Sequence, residues 1–142
     1  MQKLKIGFIG IGVMGKSMVD NLLKAGYEVM VYTRTKQKAE SLLAKGAKWF
    51  DSANALAQNV DIIISMVGYP QDVAEIYLGE NGVIKNLKPQ SIIIDMTTSS
   101  PKLAQEIYQE AQKYEIKSLD APVSGGDVGA KKWYTCHYGR WR

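Results

Sequence analysis

Short apolar runs alternate with helically spaced apolar residues over the first 120 positions of the chain. This pattern predicts six strands, at residues 4–9, 28–32, 47–50, 61–66, 91–96 and 117–120. It predicts helices over residues 14–25, 36–44, 71–77 and 101–114, with Ser100 before the last and Pro101 at its first position. A brief further helix ends at Ala57 and is capped by Asp51 or Ser52. Residues 80–82 are predicted to form a turn.

The order of these elements predicts an α/β fold in one domain. Ile62, Ile63 and Ile64 make a strand that is apolar on both faces, which is typical of a parallel sheet covered on both sides. Parallel strands joined by helices need right-handed crossovers, so the alternation predicts a doubly wound parallel sheet.

A glycine-rich loop joins the first predicted strand to the first helix. Its sequence is G-x-G-x-x-G, made of Gly10, Ile11, Gly12, Val13, Met14 and Gly15. Gly10 permits a tight turn, Gly12 lets a pyrophosphate approach the backbone, and Gly15 lets the helix lie close to the strand. Free amides at the helix start then hold the phosphates, which predicts a dinucleotide site in a Rossmann fold. The alternative is a glycine-rich turn without a ligand.

The end of the second strand bears on the choice of cofactor. NAD-selective sites usually place an acidic residue there, but this chain has Thr33, Arg34, Thr35 and Lys36. A guanidinium and hydroxyls suit a 2′-phosphate, so we predict NADP rather than NAD. The alternative is that Arg34 and Lys36 only solvate a helix start.

Three further loops leave the carboxyl ends of strands, where ligands bind in such sheets. Met66 and Val67 follow the fourth strand and are placed to pack on a cofactor, although ordinary loop packing explains them nearly as well. Thr98 and Ser124 offer hydroxyls near a nicotinamide or substrate. Asp95 and Asp120 are expected to brace their loops rather than to take part in chemistry.

With these loops, the sequence resembles the 3-hydroxyisobutyrate dehydrogenase family of β-hydroxyacid dehydrogenases. That family includes glyoxylate/succinic semialdehyde reductases and, more distantly, 6-phosphogluconate dehydrogenase. Residues 7–18 are similar to its cofactor loop, 95–101 to its Asp-x-Ser-Thr segment and 120–126 to its substrate signature. Thr97 stands where the family more often has serine, which keeps the hydroxyl.

The resemblance implies roles for individual residues. Gly10, Gly12 and Gly15 would hold the pyrophosphate, and Arg34 the adenosine phosphate. Met66 and Val67 would pack on the cofactor, and Thr98 would contact it near the nicotinamide. The substrate carboxylate end would be bound by Ser124, Gly125 and Gly126. The implied reaction is reversible hydride transfer between a nicotinamide and a small β-hydroxyacid or semialdehyde.

The resemblance also implies a proton-transferring lysine on a later long helix, leading into a helical second domain. None of the lysines of this chain occupies that position. We therefore expect no catalytic residue here and no turnover by the isolated chain. The absent domain would leave an apolar patch near the crevice, which favours a homo-oligomer. A stand-alone nucleotide-binding sensor is the alternative, although a sensor does not need a substrate loop such as residues 120–126.

Composition excludes several other classes of protein. The chain has 142 residues, of which 46% are hydrophobic, and its mean hydropathy is −0.18. These values argue against disorder and against a membrane span. One cysteine and one histidine argue against a disulfide framework and a metal cluster, so we expect a cytoplasmic protein without a metal.

The charge surplus lies in the last twelve residues. Lys and Arg together number 18 against 14 Asp and Glu, and residues 131–142 hold four basic residues and no acidic one. The only Cys, Cys136, and the only His, His137, are also there. Adjacent strand residues point to opposite faces, which argues against a Cys–His catalytic pair. The tail lies outside any recognised motif, so we expect no nucleic-acid partner.

This tail departs from the family pattern, which continues after Gly129 and Ala130 with Gly-Thr-Leu, an apolar strand and Gly-Gly. Removing one adenine from the lysine codons gives a frame that can encode Asn-Gly-Thr-Leu-Ala-Ile-Met-Val-Gly-Gly. We therefore expect a nucleotide-binding domain at residues 1–130 and a frameshifted or irregular tail at 131–142. Sequencing the gene through the Lys131 codon tests this expectation, and it fails if no nearby frame encodes the rest of the family fold.

Overall fold

The computed structural model describes residues 4–97, 100–121, 123–124, 136–137 and 140–141. A central sheet has the strand order β3-β2-β1-β4-β5-β6-β9, and all its pairs are parallel except the antiparallel β6–β9 pair. The prediction of a doubly wound α/β sheet is confirmed. The usual winding of a nucleotide-binding sheet predicts the order 3-2-1-4-5-6 for the six strands, and the observed order β3-β2-β1-β4-β5-β6 agrees with it.

The strands of this sheet are short, and all except β9 lie close to predicted segments. They are β1 (Lys5–Ile9), β2 (Glu28–Tyr32), β3 (Lys48–Trp49), β4 (Ile62–Ser65), β5 (Ile92–Asp95), β6 (Lys117–Asp120) and β9 (Arg140–Trp141). A separate antiparallel pair joins β7 (Val123–Ser124) to β8 (Cys136–His137). The strands β8 and β9 lie within the segment predicted as an irregular tail.

Five α-helices and two 3-10 helices connect the strands of the described part of the chain. The α-helices are α1 (Val13–Lys24), α2 (Glu40–Ala44), α3 (Ala53–Ala57), α4 (Pro70–Leu78) and α5 (Pro101–Lys113). The 3-10 helices are Lys36–Ala39 and Val83–Asn86. The helix predicted over 36–44 is thus a 3-10 turn followed by an α-helical one.

Serine hydroxyls cap two of the helices at positions that the sequence suggested. The Ser52 hydroxyl accepts from the Ala55 amide at 3.1 Å, so Ser52 rather than Asp51 caps α3. The Ser100 hydroxyl accepts from the Leu103 amide at 3.1 Å, and Pro101 follows at the first helical position. Each bond satisfies one amide that the helix itself leaves without a partner.

The core forms two layers, one on each face of the sheet. Phe8, Val29 and Val31 point to one face, where they pack with residues of α1 and α2 such as Val19 and Leu42. The other face packs against α3, α4 and α5 through residues that include Leu56, Tyr77, Ile63, Ile93 and Ile107. Helices on both faces leave the carboxyl ends of the parallel strands open for a ligand.

Candidate functional site

A cleft of about 670 Å³ opens at the carboxyl ends of β1, β2, β4 and β5. It is bordered by two loops, one between β1 and α1 and the other between β4 and α4. Its lining residues are Ile9, Gly10, Ile11, Gly12, Val13, Met14, Gly15, Tyr32, Thr33, Arg34, Thr35, Lys38, Met66, Val67, Gly68, Asp72, Ile76, Met96 and Thr97. The cleft therefore joins the glycine-rich loop to the end of β2.

The three glycines of the loop have different steric surroundings. Gly10 has a φ of +98°, and a Cβ there would overlap the carbonyl oxygen of Met66. A Cβ at Gly15 would overlap the carbonyl oxygen of Gly10. Gly12 is exposed with a φ of −92°, and a Cβ there would meet no atom within 4 Å. Gly10 and Gly15 are thus needed by the fold, whereas the space beside Gly12 is open to a ligand.

The start of α1 presents amides towards this open space. The first bond within the helix runs from the Lys16 amide to the Gly12 carbonyl at 2.9 Å, so the amides of Val13, Met14 and Gly15 precede it. The cap residue Gly12 has no side chain to accept from them, and the first turn of α1 contains no acidic residue. Unsatisfied amides at the positive end of a helix dipole form an anion-binding site.

The end of β2 forms the opposite side of the cleft. Thr33, Arg34 and Thr35 all line it, and the Arg34 guanidinium donates through Nη2 to Asp72 Oδ1 at 2.7 Å. Lys38 also lines the cleft. Lys36, which the sequence placed beside Arg34, is not a lining residue, and its ammonium lies 5.7 Å from the centre of the Trp49 ring.

The loops after β4 and β5 are tied together at the other end of the cleft. The Val67 amide donates to the Thr97 hydroxyl at 3.0 Å. The Thr97 amide in turn donates to Asp95 Oδ1 at 3.1 Å. Asp95 therefore braces the backbone that presents Met66 and Val67 to the cleft, as the sequence indicated.

Asp95 also belongs to a buried chain of hydroxyl groups. The Tyr77 hydroxyl donates to Ser65 Oγ at 2.6 Å, and Ser65 Oγ donates to Asp95 Oδ1 at 2.9 Å. Burial raises the pKa of the Asp95 carboxyl above its ordinary value of 3.8, a rise that the bonds from Thr97 and Ser65 oppose. Burial and the neighbouring Asp95 charge raise the pKa of Tyr77 well above 10.0. The network thus joins α4, β4 and β5 beneath the cleft.

The raised pKa of Asp95 predicts a pH-dependent stability. A carboxyl with a raised native pKa stabilises the fold below its unfolded pKa, and this contribution is lost as the pH rises through the native pKa. The free energy of unfolding of the native protein is therefore expected to fall, relative to that of Asp95→Asn, as the pH rises above about 4. Urea unfolding of both proteins across this range measures the difference.

Asp20→Asn is the matched control for this measurement. Hydrogen bonds to Lys45 and Lys24 lower the pKa of Asp20, so its contribution to stability is complete above about pH 4 and is lost only as the pH falls below that value. Above about pH 4, the stability difference between the native protein and Asp20→Asn should therefore stay constant, while that for Asp95→Asn changes. A difference between the native protein and Asp95→Asn that does not change with pH would contradict the assignment.

The structure brings together most of the residues selected from the sequence. All of the predicted cofactor-binding residues except Thr98 line one cleft. Thr98, Gly125 and Gly126 lie outside the described residues, and Ser124 is described only as part of the backbone pair between β7 and β8. The substrate-binding prediction at Ser124, Gly125 and Gly126 therefore stays a prediction.

Several lining residues were not selected from the sequence. They are Ile9, Tyr32, Lys38, Gly68, Asp72, Ile76, Met96 and Thr97. The i, i+4 spacing of Asp72 and Ile76 on α4 could have indicated a shared face, but no local pattern shows that this face meets Arg34.

The described part of the chain lacks a cluster of metal-binding side chains and a membrane-spanning helix. Its residues hold no group of three or more His, Cys, Asp or Glu side chains that could bind a metal ion. Its helices are all too short or too polar to cross a membrane.

Comparison with known sequences gives a family match over most of the chain. Residues 5–137 match the family model described as the NAD binding domain of 6-phosphogluconate dehydrogenase. An uncharacterized oxidoreductase of Bacillus subtilis, YkwC, is 57% identical over 129 residues, which cover 91% of this chain and 45% of that protein. The chain thus spans less than half the length of this curated relative.

Solved structures share the fold at lower identity. The 3-hydroxyisobutyrate dehydrogenase of Mycobacterium tuberculosis, solved with L-serine, matches with a TM-score of 0.90 and 30% identity, over 97% of this chain and 46% of that one. Psf3, solved with NADP+ and 2-OPP, matches with a TM-score of 0.92 and 27% identity, over 96% of this chain and 49% of that one.

Proposed function

Because the chain belongs to the family of the NAD binding domain of 6-phosphogluconate dehydrogenase, we propose that residues 1–130 bind NADP in the cleft. In this proposal they form the nucleotide-binding domain of an oxidoreductase that acts on a small β-hydroxyacid or semialdehyde. The observation that carries the proposal is the open space beside Gly12, next to the amides at the start of α1. The open space fits a pyrophosphate, and the packing of the fold does not require a glycine at position 12.

The residues of the glycine-rich loop have different roles in binding the cofactor. The amides of Val13, Met14 and Gly15 donate to the pyrophosphate oxygens, and Gly12 allows the phosphates to approach. Ile11 is buried against the core and fixes the position of the loop. A bound nicotinamide would accept the hydride in oxidation of a hydroxyacid and give it in reduction of an aldehyde.

The residues after β2 support NADP over NAD. Arg34 lines the cleft with three-quarters of its side chain exposed, and it lies between the hydroxyl-bearing Thr33 and Thr35. Lys38 adds a second cation on the same side. Two cations and two hydroxyls favour a 2′-phosphate, which NAD lacks.

The other end of the cleft is where we propose that substrate reacts. Met66 and Val67 would pack on the cofactor, and Thr98 would contact it near the nicotinamide. Ser124, Gly125 and Gly126 would bind the substrate carboxylate end. L-serine, bound to the M. tuberculosis relative, is itself a β-hydroxyacid, which supports this substrate class. The 3-hydroxyisobutyrate dehydrogenases and the glyoxylate/succinic semialdehyde reductases share one type of reaction, which is hydride transfer between a nicotinamide and a small β-hydroxyacid or semialdehyde.

We propose that this chain by itself binds the cofactor without turning over substrate. Hydride transfer to or from a hydroxyl carbon needs a group that moves the proton and a site that excludes water. Among the described residues that line the cleft, the lysine is Lys38, which lies in the 3-10 helix after β2 and not beside Met66 and Val67. Walls from a second domain would close the site in the whole enzyme.

Calorimetric titration of the 142-residue chain with NADP and with NAD tests the proposal. We expect NADP to bind about tenfold more tightly, since one charge-assisted contact contributes about 1.4 kcal/mol. The same sample should show no NADP-dependent oxidation of 3-hydroxyisobutyrate and no reduction of succinic semialdehyde. Equal affinity or tighter NAD binding contradicts the cofactor assignment, and a measurable rate contradicts the claim of inactivity.

A further inference from the structure

A carboxylate lies in the cleft beside the group assigned to the 2′-phosphate. Asp72 is in the first turn of α4, lines the cleft, and accepts the 2.7 Å bond from Arg34 Nη2. The end of β2 has no acidic residue of its own. Asp72 of α4 places a carboxylate at the same end of the cleft. Residues 34 and 72 are 38 positions apart, so the sequence does not show this juxtaposition.

The Arg34–Asp72 pair contributes little to the stability of the fold. The Arg34 side chain is 76% exposed, and an exposed ion pair contributes about 0–1 kcal/mol. Asp72 is only 20% exposed, so most of its side chain is covered by the protein. The position of the pair in the cleft, rather than its contribution to folding, is therefore the feature that needs an explanation.

The geometry leaves Arg34 able to bind a second anion. A guanidinium has five N–H donors, and the bond to Asp72 uses one terminal nitrogen. A phosphate can therefore bind the remaining donors while Asp72 keeps its own. The Asp72 carboxylate then lies close to the phosphate, and the two negative charges repel each other. This repulsion is stronger at low ionic strength, because fewer ions screen it.

From this arrangement we propose that Asp72 is a specificity-determining residue that limits the preference of the cleft for a 2′-phosphate. Its carboxylate neutralises part of the Arg34 charge and repels the phosphate, so that a 2′-hydroxyl ligand remains competitive. This inference rests on the proposed function, because it requires the adenosine half of a dinucleotide to lie at Arg34.

Binding of two adenosine fragments isolates this effect from the nicotinamide end. Adenosine 2′,5′-bisphosphate and 5′-AMP differ by the 2′-phosphate, so the ratio of their affinities reports on that group alone. Calorimetry at low ionic strength should show that Asp72→Asn raises the ratio about threefold to tenfold in favour of the bisphosphate. A purely structural change would alter the affinities for both fragments in proportion and leave the ratio unchanged.

Three further variants identify the cause. Asp72→Glu keeps the charge and should keep the native ratio. Arg34→Gln should reduce the ratio towards one. The control is Glu106→Gln, because it removes one negative charge from an exposed position on α5 and should leave the ratio unchanged.

The outcomes separate this inference from the function on which it rests. A native protein that binds neither fragment overturns the proposed function and the role of Asp72 together. A native protein that binds both fragments equally overturns the NADP assignment, and the Asp72→Asn ratio then decides the role of Asp72 separately. A native protein that prefers the bisphosphate, with an Asp72→Asn ratio that is unchanged or lower, overturns the role of Asp72 alone.

Discussion

Replacing Gly12 with valine is expected to abolish NADP binding while leaving the protein folded. The backbone of Gly12 has a φ of −92° that any residue adopts, and a Cβ there would contact no protein atom within 4 Å. The added methyl groups would fill the space in which the pyrophosphate approaches the amides of Val13 and Met14. Affinity should fall at least about 100-fold, because the phosphates lose their closest contacts.

The stability of the Gly12 variants separates loss of ligand from loss of fold. Valine is a poorer helix cap than glycine, so Gly12→Val should lower the free energy of unfolding by only about 1 kcal/mol. Gly12→Ala provides a smaller step, with an affinity between those of the native protein and of Gly12→Val. Calorimetry and urea unfolding of the three proteins measure both quantities. Unchanged affinity in Gly12→Val would place the pyrophosphate elsewhere.

Replacing Gly10 with alanine is expected to have the opposite result, a large loss of stability. Gly10 has a φ of +98°, where an L-residue is strained by about 1–2 kcal/mol. Its added Cβ would also overlap the backbone carbonyl of Met66, so the loops after β1 and β4 would have to separate. We expect a loss of about 3 kcal/mol or more, a large part of the stability of a domain of this size.

Gly46→Ala is the matched control for the Gly10 variant. Gly46 has a φ of +112°, but a Cβ there would meet no atom within 4 Å. The free energy of unfolding of Gly46→Ala should therefore fall only by the cost of backbone strain, about 1–2 kcal/mol. Equal losses in the two variants would show that the contact between the loops after β1 and β4 does not need glycine at position 10.

Much of the fold could be predicted because its signals are local. The apolar run at Ile62, Ile63 and Ile64 predicts a buried strand, and winding rules then give the strand order. Predictions of short elements were less accurate. Residues 36–39 form a 3-10 turn instead of the start of an α-helix, and the third strand pairs only through Lys48 and Trp49. Two or three residues carry too little periodicity to set such boundaries.

The candidate site could be predicted only where it is contiguous in the chain. The glycine-rich loop gives its own geometry, because Gly10, Gly12 and Gly15 act within six residues. Asp72 was missed because its place beside Arg34 results from packing α4 across the sheet from the end of β2. Lys38 was missed because the 3-10 turn puts this lysine, and not Lys36, on the cleft wall.

We expect the amides at the start of α1 to bind the diphosphate of NADP. The most direct test is an NMR titration of the ¹⁵N-labelled chain that follows each backbone amide as NADP is added. We expect saturable shifts that are largest at Gly12, Val13, Met14 and Gly15, with a second group at Arg34 and Thr35. Unchanged amide resonances at residues 12–15 in the presence of saturating NADP would contradict the account.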